Sequence, residues 1–262
     1  MARVTQSLET TVKLDTRRRL HRPQVGQRIE QSPYLSLFIA LLLTFVFVPF
    51  LRAGFETRAG LATAMIAVVA TGLRALAHRS RIVKLALVPA VALVVAELVM
   101  LGHHGQVVEL VADAAGALVG ATFMTGILID IMTSPVVTAD TVLGACVVYF
   151  LLGFWWARIF LLVYTVDPGA YTISGAALGL SSYDARASLI YFSYVTLATL
   201  GYGDVLPVSP PARALATLEA MLGQLYLAIM IARLVGLHAA SRAAAGLDDH
   251  EPEPTRSSSH DD

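Results

Sequence analysis

Apolar residues in this chain gather into long blocks separated by short polar stretches, and the blocks approach twenty residues. At a rise of 1.5 Å per residue, blocks of that length suit helices crossing a hydrocarbon core of about 30 Å. Six such spans are expected, over 34–51, 61–78, 82–101, 107–132, 141–166 and 211–237. The second is the weakest, because Ala and Thr dilute it. Between the fifth and sixth lies a different kind of segment, 167–210. Within it Tyr183 to Leu197 patterns as a helix, with Ser181 as cap, Asp184 three residues on, and Leu189, Tyr191, Phe192 and Val195 as its apolar surface. This helix is too short to cross, and a glycine-rich stretch follows it at once. That is the pattern of a re-entrant loop, which enters the membrane and leaves on the same side.

Composition agrees with a membrane protein. Hydrophobic residues make up 56% of the 262 and charged residues 15%, with mean hydropathy +0.67, well above soluble domains. A net charge of zero and a pI near 7.1 give no basic excess that would argue for nucleic acid. The one cysteine, Cys146, falls in an apolar run and reads as a small core residue, so no disulfide forms within the chain. The first apolar run follows a 33-residue polar leader without a small-residue cleavage site, so no signal peptide is expected. Orientation follows from Lys and Arg. Seven stand in the leader (Arg3, Lys13, Arg17, Arg18, Arg19, Arg22, Arg28) and four around the second link (Arg74, Arg79, Arg81, Lys84). With Arg233, Arg242 and Arg256, fourteen of nineteen lie on one side if both termini are cytoplasmic. Arg52, Arg58, Arg186 and Arg213 then fall outside, and Arg158 lies within span five.

The stretch "TLATLGYGDVLP", Thr196 to Pro207, carries the chemistry. Irregular backbone at membrane depth leaves carbonyls and amides without helical partners, which costs several kcal/mol per group unless protein, water or ions surround them. Glycine accepts backbone angles that a Cβ forbids, so alternating geometry through Thr199-Leu200-Gly201-Tyr202-Gly203 can aim successive carbonyl oxygens at one axis. A partly dehydrated cation would exchange its water shell for these oxygens and the Thr199 hydroxyl. Tyr202 would point away and pack or hydrogen-bond behind.

"TLGYGD", at the end of "YFSYVTLATLGYGD", strongly resembles the signature of the potassium-channel family, and the resemblance runs through spans five and six. It implies K+ held at Thr199, Leu200, Gly201 and Tyr202, no cofactor beyond the permeant ion, Thr196 bracing the filter, and Asp204 at the outer mouth as cation attractor and hydrogen-bond partner. Leu200 replaces the usual Val, but it offers a backbone carbonyl, so little loss of selectivity is expected. The fold class implied is an all-α membrane protein of six transmembrane helices with a re-entrant pore helix and selectivity filter between helices five and six. One filter strand per chain cannot enclose an ion, so four chains are required. The partners expected are thus a homotetramer, the lipid bilayer, and anionic lipid at the basic leader. The location expected is the cell membrane, multi-pass.

In span six, Gly223 stands where related channels carry a hinge glycine. Gln224, Leu227, Ile231 and Val235 follow along one stripe, read as cavity and inner gate. Close helix packing explains Gly223 equally well. Span four, which in a voltage sensor would carry regular arginines, holds no Lys or Arg but has Glu109, Asp113 and Asp130, so steep voltage dependence is not expected. Arg158 should pair with a carboxylate. Glu219 is first choice because spans five and six form one unit, with Glu97 and Asp113 as alternatives. A purely structural pair is favoured over a gating one.

The organisation expected is a basic leader over 1–33, a four-helix unit without voltage-sensing arginines over 34–132, a pore unit over 141–237 and a disordered tail over 238–262. His103 and His104 are read as solvated rather than as metal ligands. A rival reading is an intramembrane aspartyl protease, since "GYGD" fits G-x-G-D and Tyr183-Asp184 supplies a second acid, but Asp184 lies in the first turn of a short helix and the pore-helix pattern is left unexplained. A non-conducting regulatory subunit is a third. The channel is the stronger reading, and no enzyme activity is expected.

Overall fold

The computed structural model describes residues 33–47, 55–102, 105–173, 175–177 and 182–248. Seven helices are described: α1 (Pro33–Phe47), α2 (Phe55–Ala75), α3 (Ser80–Val99), α4 (Gln106–Thr133), α5 (Ala139–Val166), α6 (Ser182–Leu197) and α7 (Pro210–Asp248). A 3₁₀ turn, Pro168–Ala170, and three short strands, β1 (Tyr171–Ile173), β2 (Ala176–Ala177) and β3 (Val205–Pro207), flank α6.

Four of these helices are long and apolar enough to cross a membrane: α3 over Arg81–Val99, α4, α5, and α7 over Pro210–Ala240. The apolar parts of α1 and α2, Tyr34–Val46 and Ala62–Ala75, are shorter. At 1.5 Å per residue the 15 residues of α1 rise about 22 Å, and α2 opens on a stretch containing Glu56 and Arg58 before its apolar part begins. By length and hydropathy the described residues thus provide four spans where the sequence pattern suggests six.

Local signals explain the helix ends. Thr138 opens α5 in extended conformation, and its Oγ1 accepts from the Thr141 amide at 3.2 Å in a capping box. Pro210 and Pro211 occupy the first turn of α7, where a missing N–H is tolerated. Beyond Leu237 that helix continues to Asp248, past the boundary expected for a disordered tail, because "HAASRAAAG" is rich in the strongest helix former.

Two cores result. In one, Leu37 and Leu41 of α1, Phe123, Ile127 and Ile131 of α4, and Val147 and Val148 of α5 are buried together. The other surrounds α6: Trp156 and Phe160 of α5, Tyr171 of β1, Leu189 and Phe192 of α6 and Val205 of β3. There the Phe160 and Phe192 rings stand 5.1 Å apart. Cys146, contrary to its reading as a core residue, is exposed on the single chain.

The strands depart from an all-α expectation. They form one antiparallel sheet of order β2-β1-β3, pairing Tyr171 with Pro207 and Ile173 with Val205. The Val208 amide adds a bond to the Ala170 carbonyl at 2.8 Å. Backbone leaving the glycine-rich stretch has amides and carbonyls to satisfy, and the chain leaving α5 supplies the partners.

Candidate functional site

The glycine-rich stretch is held at the C-terminus of α6, and α6 is fixed to α5 by side chains that reach backbone carbonyls. Ser193 Oγ lies 2.7 Å from the Gly153 carbonyl oxygen, and the Tyr194 hydroxyl donates to the Phe150 carbonyl at 2.7 Å. The last turn then tightens and widens in succession. Ala198 N donates to Tyr194 O at 3.0 Å, Thr199 N to Thr196 O at 2.9 Å and Leu200 N to Val195 O at 2.8 Å. Thr196 therefore caps the exit with its carbonyl, and its side chain is half-buried.

From there the backbone changes hand at every second residue. φ is +56° at Thr199, +58° at Gly201 and +77° at Gly203, while Leu200 and Tyr202 keep negative φ. A left-handed threonine is strained by about 1–2 kcal/mol, and such strain concentrates at functional sites. At Gly201 and Gly203 a Cβ would meet nothing within 4 Å, so glycine is required there by the dihedral and not by space. Thr199, Leu200, Gly201, Tyr202, Gly203 and Asp204 are all exposed on the single chain. Leu200 and Tyr202 border an apolar cleft of about 670 Å³ that Phe45, Tyr149, Tyr191 and Tyr194 also line. Tyr202, expected to pack behind the filter, is thus 68% exposed on one chain. Asp204 Oδ1 accepts from the Val205 amide at 3.0 Å.

Helix α7 closes the other side. A Cβ on Gly223 would stand 2.7 Å from Leu197 Cδ1 and 2.9 Å from the Leu197 carbonyl oxygen, at the last residue of α6. Gly223 thus packs closely against the end of α6, and α7 runs unbroken through it. Beyond it Gln224, Ile231 and Val235 are exposed and Leu227 half-buried on the single chain.

Glu219, fully buried on α7, meets α6 rather than Arg158. Its Oε1 is 2.5 Å from Ser193 Oγ. Ser193 has one hydroxyl hydrogen for two oxygen neighbours, and the Gly153 carbonyl can only accept. The count is satisfied when Glu219 is the neutral acid, donating to Ser193 while Ser193 donates to Gly153.

The expected Arg158–Glu219 pair is therefore corrected. Arg158 Nη1 donates to Asp113 Oδ1 at 2.8 Å and Nη2 to Glu97 Oε1 at 3.1 Å, joining α5 to α4 and α3. The reason is rotational phase: Glu97, Asp113 and Arg158 lie at the same end of three adjacent antiparallel helices, whereas α7 turns Glu219 toward Ser193. A fourth helix joins through Arg186 of α6, whose Nη1 is 2.9 Å from the same Asp113 oxygen.

Three contributors escaped the sequence reading: Arg186, Ser193 and Arg233. Arg186 reads only as one of the basic residues on the outer side, yet its side chain is 14% exposed. Arg233 Nη2 donates to the carbonyls of Ile131, Met132 and Ser134 at 2.7, 2.8 and 3.0 Å. It thereby fastens α7 to the C-terminal end of α4, where a cation suits the helix dipole. A usable signal existed in each case, because long polar side chains inside apolar runs must find partners. The side chain of Asp184, and His103 and His104 with the leader, lie outside the described residues. Among the described residues no group of three or more His, Cys, Asp or Glu is placed to hold a metal ion.

Comparison with known proteins meets this geometry. Residues 136–237 match the family described as "Ion channel". A stretch of 71 residues, 26% of this chain, is 37% identical to the inward rectifier potassium channel Kirbac3.1 of Paramagnetospirillum magnetotacticum. The match covers 24% of that relative's length. No solved structure matches the chain significantly. The ion-channel match thus runs over α5, α6 and most of α7, and α3, α4, α5 and α7 are long and apolar enough to cross a membrane.

Proposed function

We propose, from the match of residues 136–237 to an ion-channel family and the short likeness to a potassium channel, that this chain is one quarter of a potassium-selective channel. K+ passes down its gradient between backbone carbonyls of Thr199, Leu200, Gly201 and Tyr202, with Gly203 completing the turn and Asp204 drawing cations to the mouth. The observation that carries this reading is the alternation of positive φ at Thr199, Gly201 and Gly203 within "TLGYGD". Left- and right-handed residues in alternation turn successive carbonyls to the same side, and a ring of such carbonyls replaces an ion's water.

A homotetramer follows from the reading. One strand supplies a quarter of a ring, and "GYGD" occurs once in the chain. Exposure of the filter stretch and of the stripe through Ile231 and Val235 on the single chain is what a shared axis would cover. Six spans, with α1 and α2 completing the four described, place both termini in the cytoplasm of a cell-membrane protein, the leader resting on anionic lipid. Its apolar cleft and the surface of α3 (Leu85, Val88, Val91) face lipid or the next subunit.

The test is flux from purified protein in liposomes. K+ efflux at least about tenfold faster than Na+ efflux supports the channel, since carbonyl selectivity is an equilibrium preference of that order or more. Absence of K+ efflux from correctly assembled protein overturns it and leaves a non-conducting subunit, while peptide cleavage abolished by Asp184→Ala would establish the G-x-G-D protease.

A further inference from the structure

We infer that Arg186 is a positioning residue, through which the α1–α4 unit fixes the pore helix and hence the filter, with Asp113 of α4 as its anchor; this rests on the potassium-pore reading above.

Three helices meet at Asp113, and Arg158 links a fourth. Arg186 is the fifth residue of α6. Its Nη1 lies 2.9 Å from Asp113 Oδ1 and its Nη2 3.2 Å from Oδ2. This two-point fork fixes the plane of the guanidinium as well as its distance. Asp113 is buried, with 1% of its side chain exposed, and Oδ1 also accepts from Arg158 of α5 at 2.8 Å. Arg158 in turn reaches Glu97 of α3 at 3.1 Å. Gly116, one turn along α4 from Asp113, gives the room: a Cβ there would press on Arg158 Nε at 3.1 Å.

The cluster holds two guanidinium and two carboxylate groups, so its charges balance. A balanced joint between α3 and α5 needs only Arg158 and Glu97. The second pair is gained against the desolvation of two further charges, which makes it a poor device for stability alone. What it adds is a tie from α4 to the pore helix. The position is unfavourable for a free cation, because a helix N-terminus carries partial positive charge. Asp113 offsets both that field and the Arg186 charge.

The tie acts at a distance through α6. From Arg186 to Leu197 the helix runs about 16 Å, and at Leu197 it meets Gly223 of α7 in close contact. A short stiff helix anchored at both ends cannot tilt. Released at Arg186, its N-terminal half loses its polar tie and tilts about the contacts of Ser193, Tyr194 and Leu197, and that tilt is passed to the residues that launch the Thr199 backbone. The α1–α4 unit, lacking arginines on α4, therefore holds the filter directly rather than carrying charge across the field.

The experiment uses the full chain in liposomes, reading the K+/Na+ flux ratio, with size-exclusion and melting temperature of the same protein in detergent. Arg186→Gln is expected to lower the ratio about tenfold, a typical coupling between linked sites, while assembly is kept. Glu97→Gln, which removes the charge opposite Arg158 Nη2 and leaves both arginines on Asp113, is expected to lower the melting temperature and leave the ratio within about twofold; a ratio lowered as far as in Arg186→Gln overturns the inference. Arg186→Lys, a point charge without the fork, should fall between wild type and Arg186→Gln. An assembled Arg186→Gln protein with the wild-type ratio overturns the inference. Should Arg186→Gln fail to assemble, Arg186→Lys decides: a lowered ratio supports the inference and an unchanged one overturns it. Wild-type protein without K+ flux overturns the pore reading and this inference with it, whereas wild-type flux with unchanged variants overturns the inference alone.

Discussion

Gly223 of α7 and Leu197 of α6 pack against one another: a Cβ on the glycine would be 2.9 Å from the leucine's carbonyl oxygen, two residues before Thr199. Backbone cannot yield as a side-chain tip does. Gly223→Ala must therefore push α7 away from the end of α6, and overpacking of this kind costs about 1–3 kcal/mol. The melting temperature of the purified protein should drop by about 3 °C or more, together with K+ flux. A hinge role with no packing role would leave the melting temperature unchanged.

At Gly203 the constraint is conformational. Its φ of +77° lies where an L side chain is strained, yet a Cβ would meet nothing within 4 Å. Gly203→Ala should cost about 1–2 kcal/mol as the backbone is held left-handed or flips to relieve the strain. Flipping removes a carbonyl from the proposed ring. K+ efflux from liposomes should then fall while size-exclusion shows intact assembly, and full wild-type efflux would remove the backbone argument for the filter.

Glu219 gives a sharper test of chemistry. If it donates to Ser193, an amide can replace the acid, since Gln also offers a donor at that place. Glu219→Gln should assemble and conduct as wild type does. Glu219→Ala, which leaves a cavity and strips Ser193 of its partner, should lose about 1–3 kcal/mol and show it as a lowered melting temperature. Equal damage from both variants would mean that the charge of Glu219 matters, and the neutral-acid assignment would fall.

Voltage supplies the fourth test. Span α4 carries Glu109, Asp113 and Asp130 but no Lys or Arg, and Asp113 is locked in the charge cluster. One elementary charge moved through 100 mV is worth about 2.3 kcal/mol. Open probability in planar bilayers should therefore change less than about tenfold per 100 mV, and a steeper dependence would require mobile charge that this fold does not offer.

The sequence by itself settled those features that depend on a short run of neighbours. Block lengths of apolar residues marked α3, α4, α5 and α7, and the short pattern ending at Leu197 marked α6 almost to the residue. The glycines at 201 and 203 announced left-handed backbone, because dihedral preference is a property of the residue itself. Tertiary structure decided what depends on how helices are rotated against one another. Spacing along the chain offered Glu219 to Arg158, but helix phase delivered Glu97 and Asp113 and turned Glu219 to Ser193. The same phase brought Arg186 of α6 against Asp113 of α4 and Gly223 of α7 against Leu197. The strand pairing of Tyr171 with Pro207 was equally hidden, since it joins segments more than thirty residues apart that no local pattern links. Hydropathy measures how deep a residue sits, and only packing shows which way it faces.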